Sequence, residues 1–263
     1  MKKNLLWFVL SFLPALAFAQ SPFDGTWKTN MTASKLSQKP YEFSLNNGTY
    51  SCGSCVPKME NVKADGHDQN VAAPGRDYDT LAVKIVDDHS AQFTGKKAGK
   101  PVYEQTRSTS RDGSTLTIAS MNYPADGSQA FKTEVKFTRV GKAPAGANAT
   151  SGSWRIQNVS EDEAGLTSTW KRSGDGLSMS TPTGVSWEAK LDGKEYPVKG
   201  SSYDRYTVSV KSLGDRSIEA TYRRDGKVAT VEKITVSADG KQMTIVADNK
   251  LSGRISTYVD EKQ

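Results

Sequence analysis

The chain has 263 residues, 35 Lys and Arg against 29 Asp and Glu, a formal charge of +6, two cysteines and two histidines. Its positive charge is spread thinly, with no basic tract that would track a phosphate backbone, so nucleic acid is not an expected partner. There is no His-Glu-x-x-His motif and no glycine-rich phosphate loop between a strand and a helix, which removes the commonest metal-hydrolase and nucleotide-binding classes.

Lys2 and Lys3 precede an apolar run from Leu5 to Phe18, interrupted only by Ser11 and Pro14 and closing on Ala17-Phe18-Ala19. These are the three regions of a secretory signal peptide, predicted over residues 1–19 with a mature start at Gln20. An uncleaved anchor is the weaker reading, because the run is short and carries a proline. No later stretch is long or apolar enough to span a bilayer, and loss of the two lysines leaves a charge of +4. The expected address is the periplasm or the exterior.

Residue i resembles residue i+127 over most of the remaining chain. Lys63-Ala-Asp65-Gly66 falls on Lys190-Leu-Asp192-Gly193, Asp112-Gly113 on Asp239-Gly240, and Thr117-Ile118 on Thr244-Ile245. Between Lys63 and Ile118 there are 18 identities in 56 positions without a gap. A period this long means duplicated domains rather than short solenoid units. Copy one is assigned to residues 20–140 and copy two to 152–263, joined by the small, polar, proline-interrupted linker 141–151.

Within each copy the dominant pattern is alternation, as in Phe131-Lys-Thr-Glu-Val135-Lys-Phe137 and Tyr206-Thr-Val208-Ser-Val210. Period two with β-branched and aromatic residues predicts half-buried antiparallel strands, eight or nine per copy, with no long amphipathic helix. Asp-Gly pairs at 65, 112, 192, 225 and 239 punctuate them, since such pairs tolerate the positive φ of tight hairpin turns. The predicted fold is all-β, two tandem antiparallel up-and-down barrels. Closure is favoured over a sandwich because it removes exposed edges.

Gly25-Thr-Trp27, repeated as Gly152-Ser-Trp154, resembles the opening of exported bacterial lipocalin-like proteins. Tyr50-Ser-Cys52-Gly-Ser-Cys55-Val-Pro57 followed by Lys63-Ala-Asp65-Gly66 resembles a second stretch of that group. The resemblance implies that Trp27 and Trp154 each close a barrel base, with Arg139 and Arg254 of the last strands as partners packed across them. It also implies a cup for a small apolar or amphipathic ligand.

Cys52-Gly-Ser-Cys55 is the one concentration of reactive side chains. In an exported protein it reads most simply as a short-range disulfide. A redox pair and half of a metal shell completed by His67 and His89 are the alternatives. Copy two dispenses with the pair, having Met179 and Pro182 at those positions. His67 and His89 stand opposite Lys194 and Arg216, beside turns, and read as exposed turn residues. The acidic run Glu161-Asp162-Glu163 lacks ligand spacing and reads as a solvated face. Asp87-Asp88 reads as a turn. Trp170 and Trp187 stand opposite Phe43 and Glu60. A core position rarely tolerates both Trp and Glu, so Trp187 is expected on a face or rim. The two tryptophans are the ligand-binding candidates.

No catalytic residue and no cofactor is indicated. The expected function is non-catalytic binding of a small molecule, with an envelope structural or protein-interaction module and a thiol-redox role as alternatives. The residues say nothing of oligomeric state.

Overall fold

The structure, a computed structural model, describes residues 21–124, 126–200 and 205–263; the leader expected over 1–19 lies outside the described residues. Copy one supplies β1 (Gly25–Thr29), β2 (Tyr41–Asn46), β3 (Thr49–Cys52), β4 (Met59–Lys63), β5 (Asp65–Asn70), β6 (Thr80–Asp87), β7 (Ser90–Lys97), β8 (Lys100–Thr109), β9 (Thr115–Asn122) and β10 (Phe131–Val140). Copy two supplies β11 (Gly152–Glu161), the single-turn α1 (Glu163–Leu166), β12 (Thr167–Ser173), β13 (Gly176–Ser180), β14 (Ser186–Lys190) and β15 (Asp192–Lys199). It continues with β16 (Tyr206–Gly214), β17 (Ser217–Arg224), β18 (Lys227–Val236), β19 (Gln242–Asn249) and β20 (Arg254–Lys262).

Among the described residues all pairing is antiparallel, and the strands form two ten-stranded, barrel-like sheets. The expected all-β duplicate is therefore present, with ten strands per copy instead of eight or nine. The extra strands arise where single residues, Ala64 and Leu191, break one extended segment into two. The Asp-Gly pairs at 65 and 192 open β5 and β15 at register shifts, with Gly66 and Gly193 at φ of 82° and 73°. Those two pairs are bulges, a second use of the positive φ that also suits hairpin turns. The pairs at 112, 225 and 239 do lie in turns between strands.

The two sheets do not divide the chain at the linker. β1 pairs with β12 and β20, so the first strand of copy one closes the barrel of copy two. β11 pairs with β10 and β2, so the first strand of copy two lies in the sheet of copy one. We refer to β2–β11 as the N-terminal barrel and to β1 with β12–β20 as the C-terminal barrel. The exchange follows from connectivity. The segment 141–151 turns β11 straight back onto β10, filling that slot, and β1 takes the vacated slot beside β20.

That connecting segment is docked rather than a free tether. Thr150 and Ser151 are buried, Asn148 Nδ2 donates to Asp87 O at 2.7 Å, and Leu45 N donates to Ser151 Oγ at 2.7 Å. Arg139 fixes it further by donating to the Ser151 and Ala149 carbonyls at 2.7 and 2.6 Å.

The C-terminal barrel is closed by β14–β15 pairing, Ser186 with Lys199 and Trp187 with Val198. The N-terminal barrel is nearly closed, with β4 and β5 at the ends of its sheet. There a guanidinium does the work of the missing ladder. Arg76 Nη2 donates to the Pro57 and Lys58 carbonyls at 3.2 and 3.0 Å, and Nη1 donates to Val71 O. Unpaired edge groups are satisfied in this way without a strand.

Cys52 and Cys55 are bonded, and Cys52 is buried at the end of β3. The bond pins the turn that leads into β4. Cross-linking so short a loop removes little chain entropy, so Cys52→Ser with Cys55→Ser is expected to cost about 2 kcal/mol. The loss should fall on the N-terminal barrel alone, read as faster hydrogen exchange there with unchanged exchange in β16–β20.

Candidate functional site in the N-terminal barrel

Strand register places five core-phase side chains in one line across five strands. Phe93 of β7 lies opposite Gln105 of β8, Gln105 opposite Ser120 of β9, Ser120 opposite Thr133 of β10, and Thr133 opposite Glu161 of β11. Two residues away along the strands runs a second line, Ala91, Arg107, Ile118, Val135 and Val159. On the other side lie Gly95, Tyr103, Asn122 and Phe131. The middle line is thus polar apart from Phe93 and is bordered by largely apolar or aromatic lines. With their chain neighbours, the exposed Glu104, Lys132, Glu134 and Asp162 among them, the residues of the middle line form the wall of an open cavity of about 690 Å³.

The polar groups are ordered by one buried cation. The Arg107 guanidinium lies 4.1 Å from the Phe93 ring, 4.4 Å from Phe43 and 5.2 Å from Tyr50. Such faces stabilise a desolvated cation without a carboxylate. Its Nε donates to Gln105 Oε1 at 2.7 Å, which fixes the amide so that Gln105 Nε2 donates to Ser120 Oγ at 3.0 Å. Ser120 then has its own proton left to donate. Asn122 Nδ2 reaches Thr133 Oγ1 at 3.4 Å, and Thr133 bonds Glu161. Burial, and then the adjacent Asp162, push the Glu161 carboxyl up, while the Thr133 hydroxyl draws it back down. Tyr103 packs edge-on to Tyr78 at 5.3 Å and lies flush against Gly95, where any side chain would collide with its ring.

The comparison between copies shows that this line is not a requirement of the scaffold. At the same register the C-terminal barrel carries Ala220, Glu232, Ala247 and Ser256, and Ile234 replaces Arg107.

The residues singled out in the sequence fall elsewhere. Trp27 and Trp154 are fully buried, and each indole donates to the carbonyl four residues back, Phe23 at 2.9 Å and Thr150 at 3.1 Å. Arg139 lies over Trp154 at 4.0 Å. Over Trp27, however, lies Lys262 at 5.3 Å, and Arg254 instead covers Tyr41 at 3.8 Å. The reason is loop length. Eight residues separate β9 from β10 but four separate β19 from β20, so the offset between copies drops to 123 and Lys262 is the counterpart of Arg139.

Trp170 and Trp187 lie in the core of the C-terminal barrel, edge-on to each other at 5.5 Å, and neither lines the cavity described above. The expectation of Trp187 on a face or rim is corrected, since it is 3% exposed. Asn61 adopts a positive φ of 56°, and the resulting bulge in β4 brings Met59, not Glu60, opposite Cys52 as Trp187 lies opposite Met179. His67 is exposed, and His89 Nδ1 lies 3.0 Å from Thr109 Oγ1 at a turn. Among the described residues no three His, Cys, Asp or Glu side chains are grouped to hold a metal ion, and no helix is long and apolar enough to cross a membrane.

No family model, no curated protein and no solved structure matches the chain.

Proposed function

We propose that the chain is an exported, non-catalytic binding protein whose N-terminal barrel takes a small amphipathic molecule, as a lipocalin does. The observation that carries this reading is the ordered polar line Gln105–Ser120–Thr133–Glu161 along the 690 Å³ cavity, whose apolar lining is Phe93, Ala119 and Met121. Ligand sites of this size combine apolar walls with a few fixed polar groups, and the Arg107–Gln105–Ser120 chain supplies that fixing. The Ser120 hydroxyl offers a donor and Glu161 an acceptor, so the ligand carries complementary groups on one flank and apolar surface on the other.

The bonded Cys52–Cys55 pair and the leader-like residues 1–19 support export. Native mass spectrometry of protein purified from its own envelope should show a retained small molecule. Ser120→Phe fills the line and should abolish retention, whereas Ala247→Phe at the matching position of the other barrel should not. Absence of any retained species from the unaltered protein, or equal retention by both variants, would refute the assignment.

A further inference from the structure

We propose a second site, in the cleft between the two barrels, that binds a small organic anion with a carboxylate head and an apolar body. The cleft has a volume of about 450 Å³. One wall is the disulfide-closed turn of copy one with Val56 and Lys58, and the other is Leu251 and Arg254 of copy two, with Lys39 and Glu42 completing it.

Three cations face one carboxylate there, and none of Lys39, Lys58 and Arg254 has an ion-pair partner among the described residues. Lys39 Nζ donates to Ser252 O at 2.6 Å and Arg254 Nη2 to Pro40 O at 2.8 Å, so both are held by neutral carbonyls. Arg254 is 9% exposed, and its Nε–H is buried without an acceptor. The Tyr41 face 3.8 Å from the guanidinium offsets part of the cost of that burial, and a counter-charge in the cleft would offset the rest. Val56, 39% exposed, and Leu251 give an apolar body somewhere to lie.

The molecule contains its own control. The matching cleft at the other crossover is lined by Phe131, Glu161, Thr183 and Val185. Under the two offsets Phe131 stands for Arg254, Val185 for Lys58 and Leu166 for Lys39. The crossover is therefore built without any of the three cations on the other side, so their contacts to the Ser252 and Pro40 carbonyls and to Tyr41 are not a requirement of the scaffold.

The test is titration of the ¹⁵N-labelled mature chain with hexanoate, with hexylamine and sodium chloride as controls. Hexanoate should give saturable shifts at residues 39–42, 53–58 and 251–254, and hexylamine none. Lys39→Gln with Lys58→Gln should weaken binding roughly tenfold, as two exposed charge partners would. Arg254→Met, which keeps the packing on Tyr41, should weaken it further. The Ser120→Phe variant should bind hexanoate normally, so that failure of this site and failure of the barrel site are separate outcomes. Unsaturable shifts, equal response to hexylamine, or unchanged affinity in the double lysine variant would overturn the proposal.

Discussion

Trp27→Ala is expected to unfold the C-terminal barrel while the N-terminal barrel stays folded, although Trp27 belongs to the first copy in sequence. The indole is fully buried in one cluster with Trp170, Leu177, Val208, Val210 and Met243, all from the second copy. Removing it forfeits the buried ring, leaves a cavity and abandons the bond to Phe23 O, a loss of about 3–5 kcal/mol. That is a large part of the roughly 5–15 kcal/mol that holds a domain together. Hydrogen exchange resolves where the loss falls. Protection should collapse over β16–β20 and persist at Val83 and Phe93, and Trp154→Ala should give the mirror result. Loss confined to β6–β9 in the Trp27 variant would mean that β1 lies in its own copy's barrel, and the exchange would be wrong.

Strand exchange is also where sequence reasoning stopped. The alternation in segments such as 131–140 and 242–249 marks strands because one face is buried, a local property that survives in the sequence. The Gly-x-Trp openings mark a strand that buries its tryptophan at a barrel base. They do not say which base, because both copies carry the motif and both slots accept it. The choice depends on the length of 141–151 and on which slot β11 reaches first, a non-local matter.

The polar line of the N-terminal barrel was more legible than it looked. In Leu116-Thr-Ile118-Ala-Ser120 the core phase passes from apolar to hydroxyl, and in Phe131-Lys-Thr133-Glu-Val135-Lys-Phe137 a threonine interrupts it. Polar residues on the buried phase of two adjacent strands are a signal in themselves. Glu161 was hidden, because its run reads as a solvated face until the register pairs it with Thr133.

The C-terminal barrel carries two inward-phase carboxyls, the buried Asp260 and the half-buried Glu232, and they make its stability depend on pH. Asp260 is 3% exposed, burial lifts its carboxyl to about 6, and the Thr29 hydroxyl, donating to Oδ1 at 2.8 Å, opposes that lift. Glu232 is lifted to about 7, first by burial and then by Asp260, while Tyr222 bonds it and in turn accepts from Trp187 Nε1 at 3.1 Å. Both folded-state values exceed the ordinary carboxylate range, so the folded chain binds more protons than the unfolded chain between about pH 4 and pH 7. Stability should therefore be greatest near pH 4, fall as pH rises through 6 and 7, and level off above.

Each pH unit of displacement is worth about 1.4 kcal/mol and each carboxyl is displaced by roughly two units, the repulsion between them falling in the Glu232 share, so a loss of several kcal/mol is expected. Glu232→Gln with Asp260→Asn keeps the hydrogen bonds and removes the charges. It should raise the urea midpoint of the C-terminal barrel at pH 8, leave it unchanged at pH 4, and flatten the profile between. A variant less stable than the parent at pH 8 would show that the carboxylates are net stabilising when ionised. Asp260 lies opposite Thr29 on the seam where β1 meets β20, so ionisation acts at the place where the exchanged strand closes the barrel. The same seam that Trp27 holds shut by packing is thus the one that rising pH loosens.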